Sequence, residues 1–331
     1  MSFIDLHCDT LQLYGYDKEP SGDLYRNTGS VDFYRMKQAG MKAQFFAMFM
    51  PVPGHCDYLK NPEIYRDGEL WDEGFLTVLY RGFKASVEAH SDLVTHTRNW
   101  AEYEAAKNAG KMAAFLTVED GRAVEGKMEN LHALHRAGVS LITLTWNFKN
   151  CFGSPNSRDP QIMAEGLTEF GKKAVEEMNH LGMLVDESHL SDGGFYDVAE
   201  ISKKPFVASH SNARALSPHR RNMTDDMIRR LADAGGVMGL NFCPQFLLAD
   251  AEGDDSRIED MVRHLLYIRN VGGSEVMALG GDLDGIGGRL EIDSVEKTAK
   301  LFEVLEIHGF TARELEGLAY RNVERVLKEC L

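Results

Sequence analysis

Apolar residues fall into short runs separated by longer amphipathic stretches. Eight runs stand out, at 3–6, 43–50, 113–118, 141–146, 183–185, 205–208, 236–242 and 276–279. Between them, 166–180 and 225–234 carry apolar residues at helical spacing. Thr224 reads as the N-cap of the second, with Asp225 and Asp226 in the first turn complementing the helix dipole. Near-continuous apolar strands alternating with helices predict a parallel sheet covered on its outer face. Eight such units predict a (β/α)8 TIM barrel, residues 1–331 forming a single domain. A doubly wound open sheet is the structural rival. Two connections, 51–68 and 243–256, are long for a compact domain. Each reads as a lid, an interface or a surface excursion.

Composition narrows the function classes. The 331 residues are 44% hydrophobic and 26% charged, the balance of a soluble globular chain. Thirty-six basic residues against 51 acidic leave a net charge of −15. That argues against nucleic acid or an anionic membrane as the main partner. The five cysteines (Cys8, Cys56, Cys151, Cys243 and Cys330) form no CxxC pair, so neither a structural zinc site nor a disulfide framework is expected. The opening MSFIDLH lacks the basic and apolar regions of a signal peptide, and no run approaches 18 apolar residues. A cytoplasmic protein is the expectation.

The chemistry sits where the runs end. In a barrel of this kind the active site lies at the C-terminal ends of the strands. His7 and Asp9 follow the first run, Glu119 ends the third, His189 follows the fifth, His210 the sixth and Asp282 the eighth. Three imidazoles and three carboxylates would thus share one rim. His7 and Asp9 are two apart, so on a strand both point to one side and can grip one cation, while Cys8 points the other way as a buried thiol. Glu119 reads either as a strand-to-loop carboxylate or as one whose two oxygens bridge two metals. N/O ligands in this number suit two zinc ions better than magnesium. Asp282, in LGGDLDG, could take a proton from a metal-bound water. The same stretch lacks the spacing of an EF-hand loop and of a phosphate loop. GxSxG and HExxH are absent, so a serine triad and a zincin helix find no support. Of the remaining histidines, most fall in helical or connecting stretches and read as structural. His55, in the long connection after the second run, is the exception worth checking.

Taken together, His7-x-Asp9, Glu119, His189, Ser209-His210-Ser211-Asn212, Arg220-Arg221-Asn222 and Gly281-Asp282-Leu283-Asp284-Gly285 resemble the membrane dipeptidases, a branch of the amidohydrolase-like barrels. The resemblance spans residues 5 to 285 and implies roles. His7 and Asp9 would bind one zinc, His189 and His210 the other, and Glu119 would bridge them together with a hydroxide that attacks the peptide carbonyl. Asp282 would accept the proton and deliver it to the leaving amine. Arg221 would clamp the substrate's terminal carboxylate. Implied substrates are dipeptides, extending to those with a D-residue on the C-terminal side. A homodimer is the expected assembly. Asp284 reads as shaping the glycine turn.

Some positions depart from the family pattern. Trp146 stands where vertebrate members carry a substrate-binding histidine, with Asn147 beside it; both are candidate substrate-binding residues. Cys243 replaces an expected aromatic residue, and Asp120 an expected glycine. Two other readings stay open: another hydrolase on the same scaffold (a deaminase, lactonase or acylamino-acid hydrolase), and a barrel that binds metal or ligand without turnover. Arg221 separates the first from a dipeptidase, and retention of Asp282 with all five ligands weighs against the second.

Overall fold

The computed structural model describes residues 1–15, 22–49, 74–250 and 253–331. Eight parallel strands close into a barrel. They are β1 (Ile4–Cys8), β2 (Ala43–Phe49), β3 (Met112–Glu119), β4 (Val139–Thr143), β5 (Leu184–Asp186), β6 (Val207–Ala208), β7 (Val237–Leu240) and β8 (Met277–Leu279). Each of the eight apolar runs supplies one of them. Neighbours in sequence pair in space, and β8 closes onto β1 through Asp5 opposite Leu279. A short extra strand, Val94–His96, pairs with the start of β3. The open-sheet rival is excluded by that closure.

The helices form as the polar pattern dictates. In Asp225–Asp233, Thr224 accepts from Met227 N, and Met227, Ile228 and Leu231 turn one face inward. The helix expected over 166–180 runs from Glu169 to Leu181, capped by Thr168. No helix among the described residues is long and apolar enough to cross a membrane.

Two apolar cores result. The larger lies between strands and helices. The smaller fills the barrel itself with Ile4, Leu6, Phe45, Phe115, Leu141 and their neighbours. Val323, Val326 and Leu327 of the helix Asn322–Cys330 pack against this floor. Side chains alternate along a strand. So Phe115 on the floor places Glu119 at the mouth, Leu184 places Asp186, and Val207 places Ser209.

Strand β1 breaks that alternation. Its pairing with β2 shifts by one residue between Asp5–Gln44 and Cys8–Phe46. Ile4 and Leu6 face the lumen, yet Cys8 packs in the outer core. An extra residue in one strand flips every later side chain to the other face. The bulge therefore turns His7 and Asp9 inward, where an unbroken strand would have put them outside.

The connection 51–68, with His55, lies outside the described residues. The other long connection contains a short helix, Pro244–Leu247, and a strand, Asp255–Ser256, paired with Arg289–Leu290.

Candidate metal centre

At the strand ends Glu119 sits between two groups. Its Oε2 is 3.7 Å from His7 Nε2. Its Oε1 is 3.1 Å from His189 Nε2 and 3.7 Å from His210 Nε2. On the first side, His7 Nε2 also lies 3.3 Å from Asp9 Oδ2 and 3.7 Å from Asp282 Oδ1. On the second, the two imidazole Nε2 atoms are 3.1 Å apart. All six residues expected at the rim are thus brought together, and all are buried except His189, which is partly so.

The local backbone explains how. Asp5 accepts from His7 N at 3.0 Å and Gln44 Nε2 at 3.2 Å through one oxygen, and from Gly281 N at 2.9 Å through the other. It thereby ties β1 to the loop carrying Asp282. His189 has φ +70° and Asp282 φ +59°, a region side chains rarely adopt. The His189 carbonyl is held there by Asn156 N, Asn156 Nδ2 and Thr145 Oγ1. Gly285 keeps the approach close: a Cβ there would lie 2.0 Å from Asp9 Oδ2 and 2.6 Å from Asp282 Oδ1, pushing both carboxylates from their places. Asp284 accepts from Thr10 Oγ1 at 2.5 Å and Ser30 N at 2.6 Å, so it shapes the turn as expected.

Electrostatics divide the two sides. Burial disfavours a charged His7, but the carboxylates of Glu119, Asp9 and Asp282 outweigh it and lift His7 to about 10. Burial raises Asp282 to about 7, with His7 opposing and Asp9 reinforcing. Glu119 is pushed well above the carboxylate range by burial and by Asp9. Burial, with the charges of His7 and Arg221, holds His189 and His210 well below the usual imidazole value.

The residues fit cations. Asp9 Oδ1 is buried without a hydrogen-bond partner. His189 Nδ1 lies 3.3 Å from Asn147 Oδ1 and His210 Nδ1 lies 2.7 Å from Ser209 Oγ. With the ring protons directed there, both Nε2 lone pairs and Glu119 Oε1 converge with no donor between them. Acceptors do not pack this closely in a protein interior unless a proton or a metal sits among them. His7, Glu119 and His210, and separately His7, Asp9 and Asp282, are close enough to share an ion. Nitrogen and carboxylate donors of this kind suit zinc.

A cavity of about 320 Å³ opens above these groups, lined by Asp9, Glu119, His189 and Asp282 below and by Phe49, Trp146, Phe246 and Ile286 on its sides. Asn147 also lines it, so this residue serves both the cavity wall and the His189 ring. Gln12, Gln245 and Phe246 complete the wall and had no motif to announce them. Arg221, expected to clamp the substrate's carboxylate, is buried. It lies behind His210, donating to His210 O at 3.1 Å, and does not line the cavity. Its Nε is buried without a partner, and its guanidinium stacks on Phe246 at 5.3 Å.

A family model for the membrane dipeptidases matches residues 1–330. A Schizosaccharomyces pombe protein described as an uncharacterized dipeptidase is 33% identical over 314 residues, 91% of this chain and 72% of that one. A Klebsiella pneumoniae protein encoded in the pqqA 5′ region is 37% identical over 235 residues, covering 69% and 86%. A metallopeptidase from Rhodobacter sphaeroides, solved with a phosphinate mimic of L-Ala-D-Ala, superposes with a TM-score of 0.86 at 26% identity, covering 100% of this chain and 99% of that one.

Proposed function

The chain belongs to the membrane dipeptidase family, and from that premise we propose how its own residues carry the reaction. It is a metal-dependent hydrolase of dipeptides. His7 and Asp9 would hold one zinc ion, His189 and His210 a second, and Glu119 would span the two. One observation carries this reading: the two oxygens of Glu119 are divided between the two ligand groups, 3.7 Å from His7 and 3.1 Å from His189. When bound, the ions would supply Lewis acidity, lowering the pKa of the attacking water and stabilising the tetrahedral anion.

Asp282 would take the water's proton and hand it to the leaving amine. Two features support the role. Its Oδ2 is steadied by Asn241 Nδ2 at 2.8 Å. Burial favours the protonated form of its carboxyl, the form it would take on accepting the water's proton. Arg221 would provide the counter-charge for the substrate's terminal carboxylate. In support, it is a buried cation that forms no ion pair among the described residues and has an unpartnered Nε. The neutral polar wall of Gln12, Asn147 and Gln245 would hold the peptide, with Trp146 packing on its side chains. Because the Rhodobacter protein was solved with a mimic of L-Ala-D-Ala, dipeptides with a C-terminal D-residue belong in the proposed range.

The test is an assay of the zinc-loaded protein on L–L and L–D dipeptides with the matching tripeptides beside them. Cleavage of dipeptides alone, lost on chelation and in Asp282→Asn, is the expected result. Equal cleavage of tripeptides would overturn the role given to Arg221. A protein holding a single zinc ion at full activity would overturn the bridge.

A further inference from the structure

Ser209 precedes a proposed ligand, yet the reaction as described does not use it. Its surroundings are unusually complete. Asp186, fully buried on β5, is approached by four donors. Its Oδ1 accepts from Ser188 N at 3.0 Å and Ser209 N at 2.8 Å. Its Oδ2 accepts from Thr143 Oγ1 and Ser209 Oγ, both at 2.6 Å. Ser209 Oγ in turn lies 2.7 Å from His210 Nδ1.

Proton counting leaves one arrangement for a carboxylate in that position. Ser209 owns a single hydroxyl proton, and a carboxylate only accepts. Were that proton directed at His210, two bare oxygens would face each other at 2.6 Å. So the hydroxyl donates to Asp186, and its oxygen accepts from His210 Nδ1–H. We propose that Asp186 and Ser209 form a relay that keeps the proton of His210 on Nδ1 and its Nε2 lone pair bare toward Glu119 and His189. Both are positioning residues: they act through His210 and touch no substrate.

The relay spans β4, β5 and β6, so it also fixes three adjacent strand ends at the mouth. Its counterpart on the neighbouring ligand is weaker in kind. His189 Nδ1 faces only the neutral amide oxygen of Asn147, at 3.3 Å. A carboxylate acting through a hydroxyl orients the ring and raises its basicity, as outer partners of metal-ligating histidines do. Its effect on metal rests on the zinc reading above, whereas the tautomer does not.

Two measurements keep the relay and that reading apart. Nitrogen NMR of His210 in the chelator-treated full chain is expected to show the Nδ1–H tautomer, and Ser209→Ala to show a mixture. Zinc titration against a chromophoric chelator is expected to give two ions in the parent. In Ser209→Ala one of the two should weaken roughly ten- to a hundredfold, with the other unchanged and recovery in Ser209→Thr. An Nε2–H tautomer in the parent, as a protonated Asp186 would produce, overturns the relay. So does a Ser209→Ala protein that keeps both the tautomer and both affinities. A parent that binds no zinc overturns the metal reading, and the tautomer still decides the relay.

Discussion

Glu119 stands between two half-sites built on different principles. The side of His7, Asp9 and Asp282 is rich in carboxylates and is set by backbone: a bulge in β1, the Asp5 tie to Gly281, a left-handed Asp282 and the close approach of Gly285. The side of His189 and His210 is rich in imidazole and adds, to a left-handed His189, side-chain hydrogen bonds from each ring to Asn147 and Ser209. The first side attracts protons and the second repels them. His7 is lifted to about 10, whereas burial keeps His189 and His210 neutral. Glu119 therefore joins a side that attracts protons to one that repels them.

The largest break in that comparison is Glu119→Gln, which removes the shared anion. We expect activity to fall by more than about a hundredfold, beyond the range for outer partners, and metal content to drop on both sides. Retention of two ions at parental affinity, measured by elemental analysis after dialysis, would show that the halves do not depend on Glu119. Asp282→Asn comes next. As a proton carrier it is expected to cost roughly 10²- to 10⁴-fold in kcat while KM and metal content stay near parental. Loss of metal instead would make Asp282 a ligand of the carboxylate side.

Much of this was legible in the chain, for a physical reason. Strands buried on both faces read as uninterrupted apolar runs, and the first polar residues after them fall on the rim. Glu119 and His210 follow from that rule alone. His7 and Asp9 reach the site only because β1 carries a bulge, and nothing in Phe3–Cys8 marks one. The positive φ of His189 and Asp282 is equally silent, since the His189 carbonyl is held by Asn156 and Thr145 and Asp282 N donates to the distant His7 carbonyl. Arg221 was found by its motif, which speaks to charge; that it lies behind His210, donating to the His210 carbonyl, shows only in the fold. Asp186 and Ser209 are the first polar residues after the fifth and sixth runs, yet their work is visible only once β4, β5 and β6 lie side by side.

The difference in proton load can be measured directly. A metal ion needs a bare imidazole. Near pH 7.5 the metal-free protein holds a proton on His7, which the first half-site must give up, while His189 and His210 have none to release. Zinc titrations by calorimetry in two buffers of different ionisation enthalpy should therefore resolve one binding event that releases more protons, His7's among them, from one that releases fewer. The sign follows from the raised value: affinity on the carboxylate side grows as pH rises toward 10 and falls as pH drops, and the imidazole side, which carries no such histidine, changes less over the same window. Equal proton release from both events would erase the distinction between the halves.

The smallest effect is expected at Asp284, two residues from Asp282 and facing away from the chemistry. Its carboxylate accepts from Thr10 Oγ1 and Ser30 N, tying the turn to the segment after β1. Asp284→Asn weakens two charge-assisted hydrogen bonds worth about 1.5–3 kcal/mol each at most, so a lower thermal midpoint should accompany it. Because Asp284 touches neither His7 nor Glu119, kcat should change less than about tenfold, far short of a lost proton carrier. The pair Asp282→Asn and Asp284→Asn thus separates chemistry from scaffold within one loop. If Asp284→Asn instead matched Asp282→Asn in kcat with an unchanged midpoint, the carboxylate side would extend one residue further than its geometry implies, and the backbone-built half would need a second acid at its centre.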